Sequence, residues 1–450
     1  MSSDVPKKNF FLATNSNKII FIFFLIILAS IVIENIDYIV ADFIVKFNTS
    51  SAGMALFIFI SIGYILGQTI LMRFMNSNSR AIKSRSALIA TLHRTVSIVQ
   101  YILAANVVLI IIQMFLFSKY STISLMFVTY ISNFFTAALL VIFALTFLSW
   151  YKSKKQSIGI LLYALAFLIL AVSEVVSGSG AAYLISQKDQ LIMPTSEVKF
   201  SDFPDGSFFD IFFSFYRYID YASFILTLIA SAILLYHYTK KTSNPKLILI
   251  IALPILGYTS SILDALHIFS SDTNPNLFYY YIYIALVSAS AGILFAFSFW
   301  IVSKKLPESP VKTFLKLTAF GFVLLYFSNN ISVTTASYPP FGINSLSLLS
   351  LSSYFVLFGL YSSALSLSQD LTLRQHLRSL AKNDNNLLSS IGTAQMESEV
   401  KRAVGELKDV ADEQEKELAE KSGIETPVPE SEIEDYLKQV IEEVARAKKK

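Results

Sequence analysis

Seven titratable residues lie inside strongly apolar stretches of the chain: Glu34, Asp37, Glu174, Arg217, Asp220, Asp264 and His267. A charge at the centre of a bilayer costs about 2.5–3.5 kcal/mol on insertion scales, so such residues pair with one another, meet water or bind something. Glu34 and Asp37, Arg217 and Asp220, and Asp264 and His267 are i,i+3 pairs, which puts both members on one helical face. The carboxylates outnumber the one guanidinium and one imidazole, and a surplus of negative charge suits a cation, an amine or a proton. His267 adds the one side chain type whose ordinary titration falls near neutral pH. Two roles fit this set. In one, Arg217 bridges Glu174 or Asp220 and ties helices together. In the other, the helices enclose an outward-opening polar pocket, with Asn329, Asn330 and the tyrosines Tyr279, Tyr280, Tyr281 and Tyr283 at the same level.

Other chemistry finds no residues to carry it. The chain has no cysteine, which excludes disulfides, thiolate metal sites, iron–sulfur clusters and cysteine nucleophiles. His93, His237, His267 and His376 are expected at different depths, so a bis-histidine haem has no geometry. No Gly-x-Ser-x-Gly elbow, His-Glu-x-x-His pair, phosphate-binding glycine loop or dinucleotide fingerprint occurs. No enzyme activity, cofactor or metal is expected.

The elements that must position the titratable set are membrane spans. Of 450 residues, 54% are hydrophobic and only 15% charged, with 38 Phe and 23 Tyr, far from the composition of a soluble domain. The mean hydropathy is +0.57. Windows of roughly 20 apolar residues, enough to cross the hydrocarbon core, fall at 19–42, 52–72, 95–118, 122–150, 157–178, 211–238, 246–269, 277–302, 312–334 and 344–368. The expected fold is all-α, a polytopic membrane protein with ten transmembrane helices. Residues 1–18 form an N-terminal segment, 19–368 the spans, and 369–450 a tail.

Basic residues set the direction, because short loops rich in Lys and Arg stay cytoplasmic. Alternate loops hold clusters such as Lys152, Lys154, Lys155 and Lys240, Lys241, Lys246, whereas the opposite loops hold only Lys46, Lys119, Lys188 and Lys199. Both termini are thus expected in the cytoplasm of a multi-pass cell-membrane protein, which requires an even number of spans. The loop from Arg73 to Arg94, with Leu88, Ile89 and Leu92 at helical spacing, is either plain topogenic charge or a stretch lying along the inner leaflet. The acidic outer loop 178–210, with Asp189, Glu197, Asp202 and Asp205, is a possible lid. In this reading the titratable set lies in the outer half of the spans. Asn48-Thr49-Ser50 and Asn330-Ile331-Ser332 fit the short N-glycosylation pattern.

Phe147-Leu148-Ser149-Trp150-Tyr151-Lys152 is similar to Phe297-Ser298-Phe299-Trp300-Ile301-Val302, and a slightly larger shift brings Ser173, Ser177 and Tyr183 onto Ser328, Ser332 and Tyr338. These matches suggest a tandem duplication of four helices, 95–238 and 246–368. The alternative is that aromatic-then-basic ends are common to spans reaching the cytoplasm.

From Asp370 the composition changes: 13 Lys/Arg and 18 Asp/Glu, with Tyr436 the one aromatic. No helix breaker separates the tenth span from Leu371-Thr372-Leu373-Arg374, so that helix is expected to continue to about Ala381. Val400, Val404, Leu407, Ala411 and Leu418 recur at coiled-coil spacing, and Ser431 caps a final amphipathic helix with Ile433, Leu437, Val440, Ile441 and Val444 on one stripe. Membrane lipids are the expected surroundings, a homodimer or protein partner through the tail helices is the expected contact, and no nucleic acid is expected. Gln375-His376-Leu377-Arg378 lacks the neighbouring acid and proline of a sensor-kinase phospho-acceptor, and no ATP-binding domain follows.

Ser368-Gln369-Asp370-Leu371-Thr372-Leu373-Arg374-Gln375 and Ile391-Gly392-Thr393-Ala394-Gln395-Met396 resemble the corresponding segments of archaeal polytopic membrane proteins with a helical tail. The resemblance covers about thirty residues; it implies a sensor-like arrangement and names no ligand. The functional expectation is a non-enzymatic sensor that detects something at the polar cluster and relays it through the last span to the tail. The alternatives are a secondary transporter of a cation or small solute, and a structural subunit of a membrane complex.

Overall fold

The structure is a computed structural model that describes residues 50–83, 86–153, 157–194, 208–238, 255, 292–328, 337–380, 387–402 and 405. Its helices are α1 (Ser51–Lys83), α2 (Ala87–Phe117), α3 (Thr122–Ser153), α4 (Ile158–Ser186), α5 (Phe208–Tyr238), α6 (292–305), α7 (Pro310–Ser328), α8 (Ile343–Gln369), α9 (Leu371–Leu380) and α10 (387–402). Among the described residues, seven are long and apolar enough to cross a membrane: α1 to α5, α7 and α8. The protein is a multi-pass α-helical membrane protein. The expected span 19–42, the span 246–269 apart from Ile255, and most of 277–302 lie outside the described residues, as do 246–254, 256–291 and 329–336 of the second half of the suggested duplication.

Helix ends follow local chemistry. Ser50 Oγ accepts from Gly53 N–H at 3.2 Å and Ser86 Oγ from Ile89 N–H at 3.4 Å, each satisfying a donor that has no partner within its helix. Ser118 ends α2 in the left-handed conformation, its N–H on Met114 O at 2.9 Å. Pro310 stands first in α7, where its missing N–H costs nothing. The all-α expectation acquires one small addition. Tyr120–Ser121 (β1) pairs antiparallel with Leu191–Ile192 (β2), joining the α2–α3 turn to the chain that leaves α4.

The helix at the centre is α8. Its apolar window is 100% buried, against 28% for α2 and 50% for α3, so it meets protein on every side while its neighbours face lipid. Its sequence suits that place. It carries nine serines between 345 and 368, and several return their hydroxyl protons to their own helix, Ser347 to Ile343 O and Ser352 to Leu348 O, both at 2.7 Å. Small side chains let neighbouring backbones approach. A Cβ on Gly359 would meet Phe314 O of α7 at 2.7 Å, and one on Gly321 would meet Val356 N of α8 at 2.7 Å.

A polar seam ties α1 and α2 to α8. Gln100 Nε2 donates to Ser350 Oγ at 2.7 Å and Ser347 O at 3.1 Å, Gln68 Nε2 donates to Gln100 O at 2.8 Å, and Asn344 Nδ2 donates to Ser61 Oγ at 3.1 Å. Such bonds between membrane helices contribute about 0.6 kcal/mol each. His93 belongs to this seam. It was expected in a cytoplasmic loop, but α2 begins at Ala87, and His93 Nδ1 lies 3.1 Å from Tyr354 Oη inside the bundle. Ile89 and Leu92 are buried on the same face, so this stretch is neither plain loop nor a surface helix. On the other side of α8, an aromatic layer fills the space between α3, α4, α6 and α7, with Phe299 stacked on Phe322 at 5.5 Å and 10°.

Candidate functional site

Antiparallel packing of α4 and α5 sets the site. Ser223 Oγ donates to Ala166 O at 3.0 Å, and Tyr163 Oη lies 3.1 Å from Ser231 Oγ. That register carries Asp220, one turn further along α5, to Glu174, two turns further along α4. The two carboxyls are within electrostatic reach of one another. Glu174 is 1% exposed and Asp220 half-buried. Glu174 Oε2 has no hydrogen-bond partner among the described residues. Tyr326 of α7 comes to the same place, beside Thr227 and within electrostatic range of both carboxyls.

The ends of these helices differ from the sequence expectation. A span ending at 178 puts Glu174 near the outer surface, but α4 continues to Ser186, so Glu174 stands close to its middle. Gly178 does not stop the helix, because it is the point where Asn133 of α3 packs: a Cβ there would lie 2.7 Å from Asn133 Cβ. Asp220 likewise stands near the middle of α5, which begins at Phe208.

Of the seven predicted residues, Glu174 and Asp220 are brought together. Arg217 belongs to α5, but its side chain lies outside the described residues, and so do Glu34, Asp37, Asp264 and His267. Tyr326 was missed, since a tyrosine in Leu324-Leu325-Tyr326-Phe327 carries no signal that separates it from ordinary core. No three His, Asp or Glu side chains converge on a metal-sized site among the described residues.

The second locus is the end of the bundle where α3 finishes and α4 begins. The expected continuous helix from the last span into the tail is interrupted at Asp370, whose backbone is extended (φ −111, ψ 97). Its carboxylate accepts from Leu373 N–H at 2.9 Å and from Thr372 Oγ1 at 2.7 Å, so it starts α9 afresh. A side chain that bonds the backbone in this way offers it an alternative to continuing the helix.

Beyond α9, α10 folds back onto the bundle. Its segment 387–392 is buried, and Gly392 touches α8 so closely that a Cβ would lie 2.8 Å from Leu367 Cβ. Trp150 Nε1 donates to Gln395 Oε1 at 2.9 Å, and Ser368 Oγ donates to Glu399 at 3.2 Å. Arg374 of α9 lies on Met396 Sδ at 2.8 Å. Ile391-Gly392-Thr393-Ala394-Gln395-Met396 is thus the part of the tail that docks. The coiled-coil positions from Val404 and the stripe from Ile433 lie outside the described residues. Trp300, matched to Trp150 in the suggested duplication, has different surroundings: Lys304 and Lys316 each sit 5.8 Å from its ring.

The fold and these two loci define a multi-pass membrane protein with buried carboxyls at mid-helix and a tail helix docked on one end. In comparisons with known proteins, the chain matches no family model, no curated protein and no solved structure.

Proposed function

We propose that the protein is a non-enzymatic membrane sensor in which a change of charge at Glu174 and Asp220 alters the docking of α10. Glu34, Asp37, Arg217, Asp264 and His267 complete the polar cluster in this reading. A cation, an amine or a proton is the stimulus, because each changes the charge of two carboxyls held together away from water. The basic ends of the spans support a cell-membrane protein with both termini in the cytoplasm, and in this reading α10 is the cytoplasmic output. The chain beyond 402 supplies contacts for a second copy or another protein.

The observation that carries this reading is the seat of α10. It rests on α8 through Leu367 and Ser368 and on α3 through Trp150. Because α8 is enclosed by its neighbours, a shift of α4 and α5 reaches it through α3 and α7 rather than being lost to lipid. The relay works by packing, since Asp370 interrupts the helix that would otherwise transmit movement directly.

A secondary transporter is the second reading, favoured by the position of Glu174 near the middle of its helix. Against it, transporter sites use interrupted helices, and α4 and α5 run unbroken through Glu174 and Asp220.

The test uses the full-length protein in vesicles with spectroscopic labels at exposed Lys152 and Lys401. Varying pH and cations should change the distance between the labels in the wild type and not in Glu174→Gln. A distance that never changes, together with proton-linked uptake abolished by Glu174→Gln, replaces the sensor by the transporter.

A further inference from the structure

Where α10 meets the bundle, a cleft of about 410 Å³ opens between α2, α3, α8 and α10. It is large enough to hold part of a small molecule, whose pockets run from about 300 Å³ upward. Its two ends differ in chemistry. One end is apolar and follows α3 past Ile142 and Leu145, with Leu88 of α2 opposite. Leu145 is 57% exposed, on a stretch of α3 that also exposes Phe134, whereas Leu88, 43% exposed, is followed on α2 by exposed Thr91, Arg94 and Thr95 before the apolar Ile98 and Ile102. Along α3 this end opens sideways toward lipid. The other end is polar and is formed by Ser398, Glu399 and Arg402 of α10.

Between the two ends stands Trp150, 2% exposed, with its indole N–H given to Gln395. Tryptophan at the boundary of apolar and polar surroundings marks the level of lipid headgroups in membrane proteins. From Ile142 to Ser149 the cleft follows about two turns of α3, roughly 10 Å at 1.5 Å per residue. An occupant must therefore have a hydrocarbon part along α3 and a polar part reaching α10.

Charge selects among such occupants. Glu399 accepts hydrogen bonds from Ser368 at 3.2 Å and from Gln395 Nε2 at 3.1 Å, which turns its carboxylate toward α8 and α10. Arg402 is the cation and Glu399 the anion in the lining; Lys401 and Lys152 are exposed and close in sequence to lining residues without lining the cleft themselves. Guanidinium matches phosphate in shape and charge. A neutral sterol-like molecule leaves this polar end unanswered, and a free anion leaves the apolar wall unfilled.

We propose that the cleft binds a membrane phospholipid with an anionic headgroup, its hydrocarbon chain along Ile142 and Leu145 and its phosphate at Ser398 and Arg402. A lipid in this position bridges α3 and α10 and holds the tail helix to the bundle. The site is independent of the carboxyl pair, and its occupancy does not require that pair to sense anything.

The chain has two tryptophans, so in a Trp300→Phe background the fluorescence reports Trp150 alone. Full-length protein is reconstituted in phosphatidylcholine vesicles containing increasing amounts of brominated phosphatidylglycerol, or of brominated phosphatidylcholine as control, and quenching is followed. Brominated phosphatidylglycerol should quench Trp150 at lower mole fraction than the control lipid. Arg402→Gln should weaken that preference roughly ten-fold, the scale of one charge-assisted hydrogen bond. Ser149→Phe, a change at an exposed residue lining the cleft, should remove saturable quenching by either lipid. Equal quenching by the two lipids, or a preference untouched by both variants, overturns the proposal.

Discussion

Trp150 at the end of α3 and Gln395 in the tail are 245 residues apart and share a buried hydrogen bond of 2.9 Å. With the burial of Leu387, Leu388, Ile391 and Ala394, this bond makes residues 387–402 part of the bundle. Gln395→Ala leaves the indole N–H buried without an acceptor, at a cost of about 1–3 kcal/mol. Hydrogen exchange across 387–402 should accelerate roughly ten-fold or more, while exchange in α8 stays slow.

Gly392 sets how closely α10 approaches α8. A Cβ there would lie 2.8 Å from Leu367 Cβ, so Gly392→Val should undock the segment. Increased cleavage by added protease between 381 and 402, with unchanged membrane insertion, is the expected result.

Gly359 is less forgiving, because besides the Thr318 hydroxyl its Cβ would meet backbone: Phe314 O at 2.7 Å and Thr318 N at 2.9 Å. No rotamer relieves that contact, and α7 must move. Gly359→Ala should destabilise the bundle by about 1–3 kcal/mol, seen as a lower melting temperature in detergent. Gly405, whose Cβ would meet nothing within 4 Å, provides a neutral control.

Asp370 gives α9 a defined pH response. Partial burial opposes its ionisation, but the hydrogen bonds from Leu373 N–H and the Thr372 side chain, with Arg374 nearby, outweigh it and hold the carboxyl below its usual range. A carboxyl depressed on folding stabilises above its unfolded pKa, ~3.9, and that stabilisation is lost as the pH falls through the folded value. The cap should therefore persist at neutral pH and weaken only below about pH 4. Asp370→Ala should lose about 0.5–2 kcal/mol at neutral pH, and Asp370→Asn much less. Helix content and exchange in 371–380 report both.

Apolar runs of roughly 20 residues located the seven described spans because lipid makes long hydrophobic stretches obligatory. Their ends were harder to read. Polar residues lower hydropathy even where a partner satisfies them, so His93, bonded to Tyr354, was assigned to a loop. The window ending at 178 also stops short, because α4 runs on past Gly178 and Gly180 to Ser186. The break at Asp370 was missed because aspartate interrupts a helix by hydrogen bonding, which only the Leu373 and Thr372 geometry reveals. In the candidate site, i,i+3 spacing found Asp220 and intramembrane charge found Glu174, but nothing in the sequence sets the α4–α5 register that joins them. The docking of 387–402 is carried by a short stripe, Leu387, Leu388, Ile391 and Ala394, too brief among polar neighbours to stand out, with Gly392 allowing the close approach to α8.

In the proposed sensor the charge of the Glu174–Asp220 pair governs the docking of α10. Hydrogen exchange of residues 387–402 in full-length protein reconstituted in vesicles tests it most directly, comparing wild type, Glu174→Gln and Asp220→Asn across pH and monovalent or divalent cation concentration. Wild-type exchange should change with one of these variables, and both variants should be fixed at one extreme and insensitive. Identical exchange in all three proteins under every condition, with insertion and melting temperature unchanged, contradicts the account.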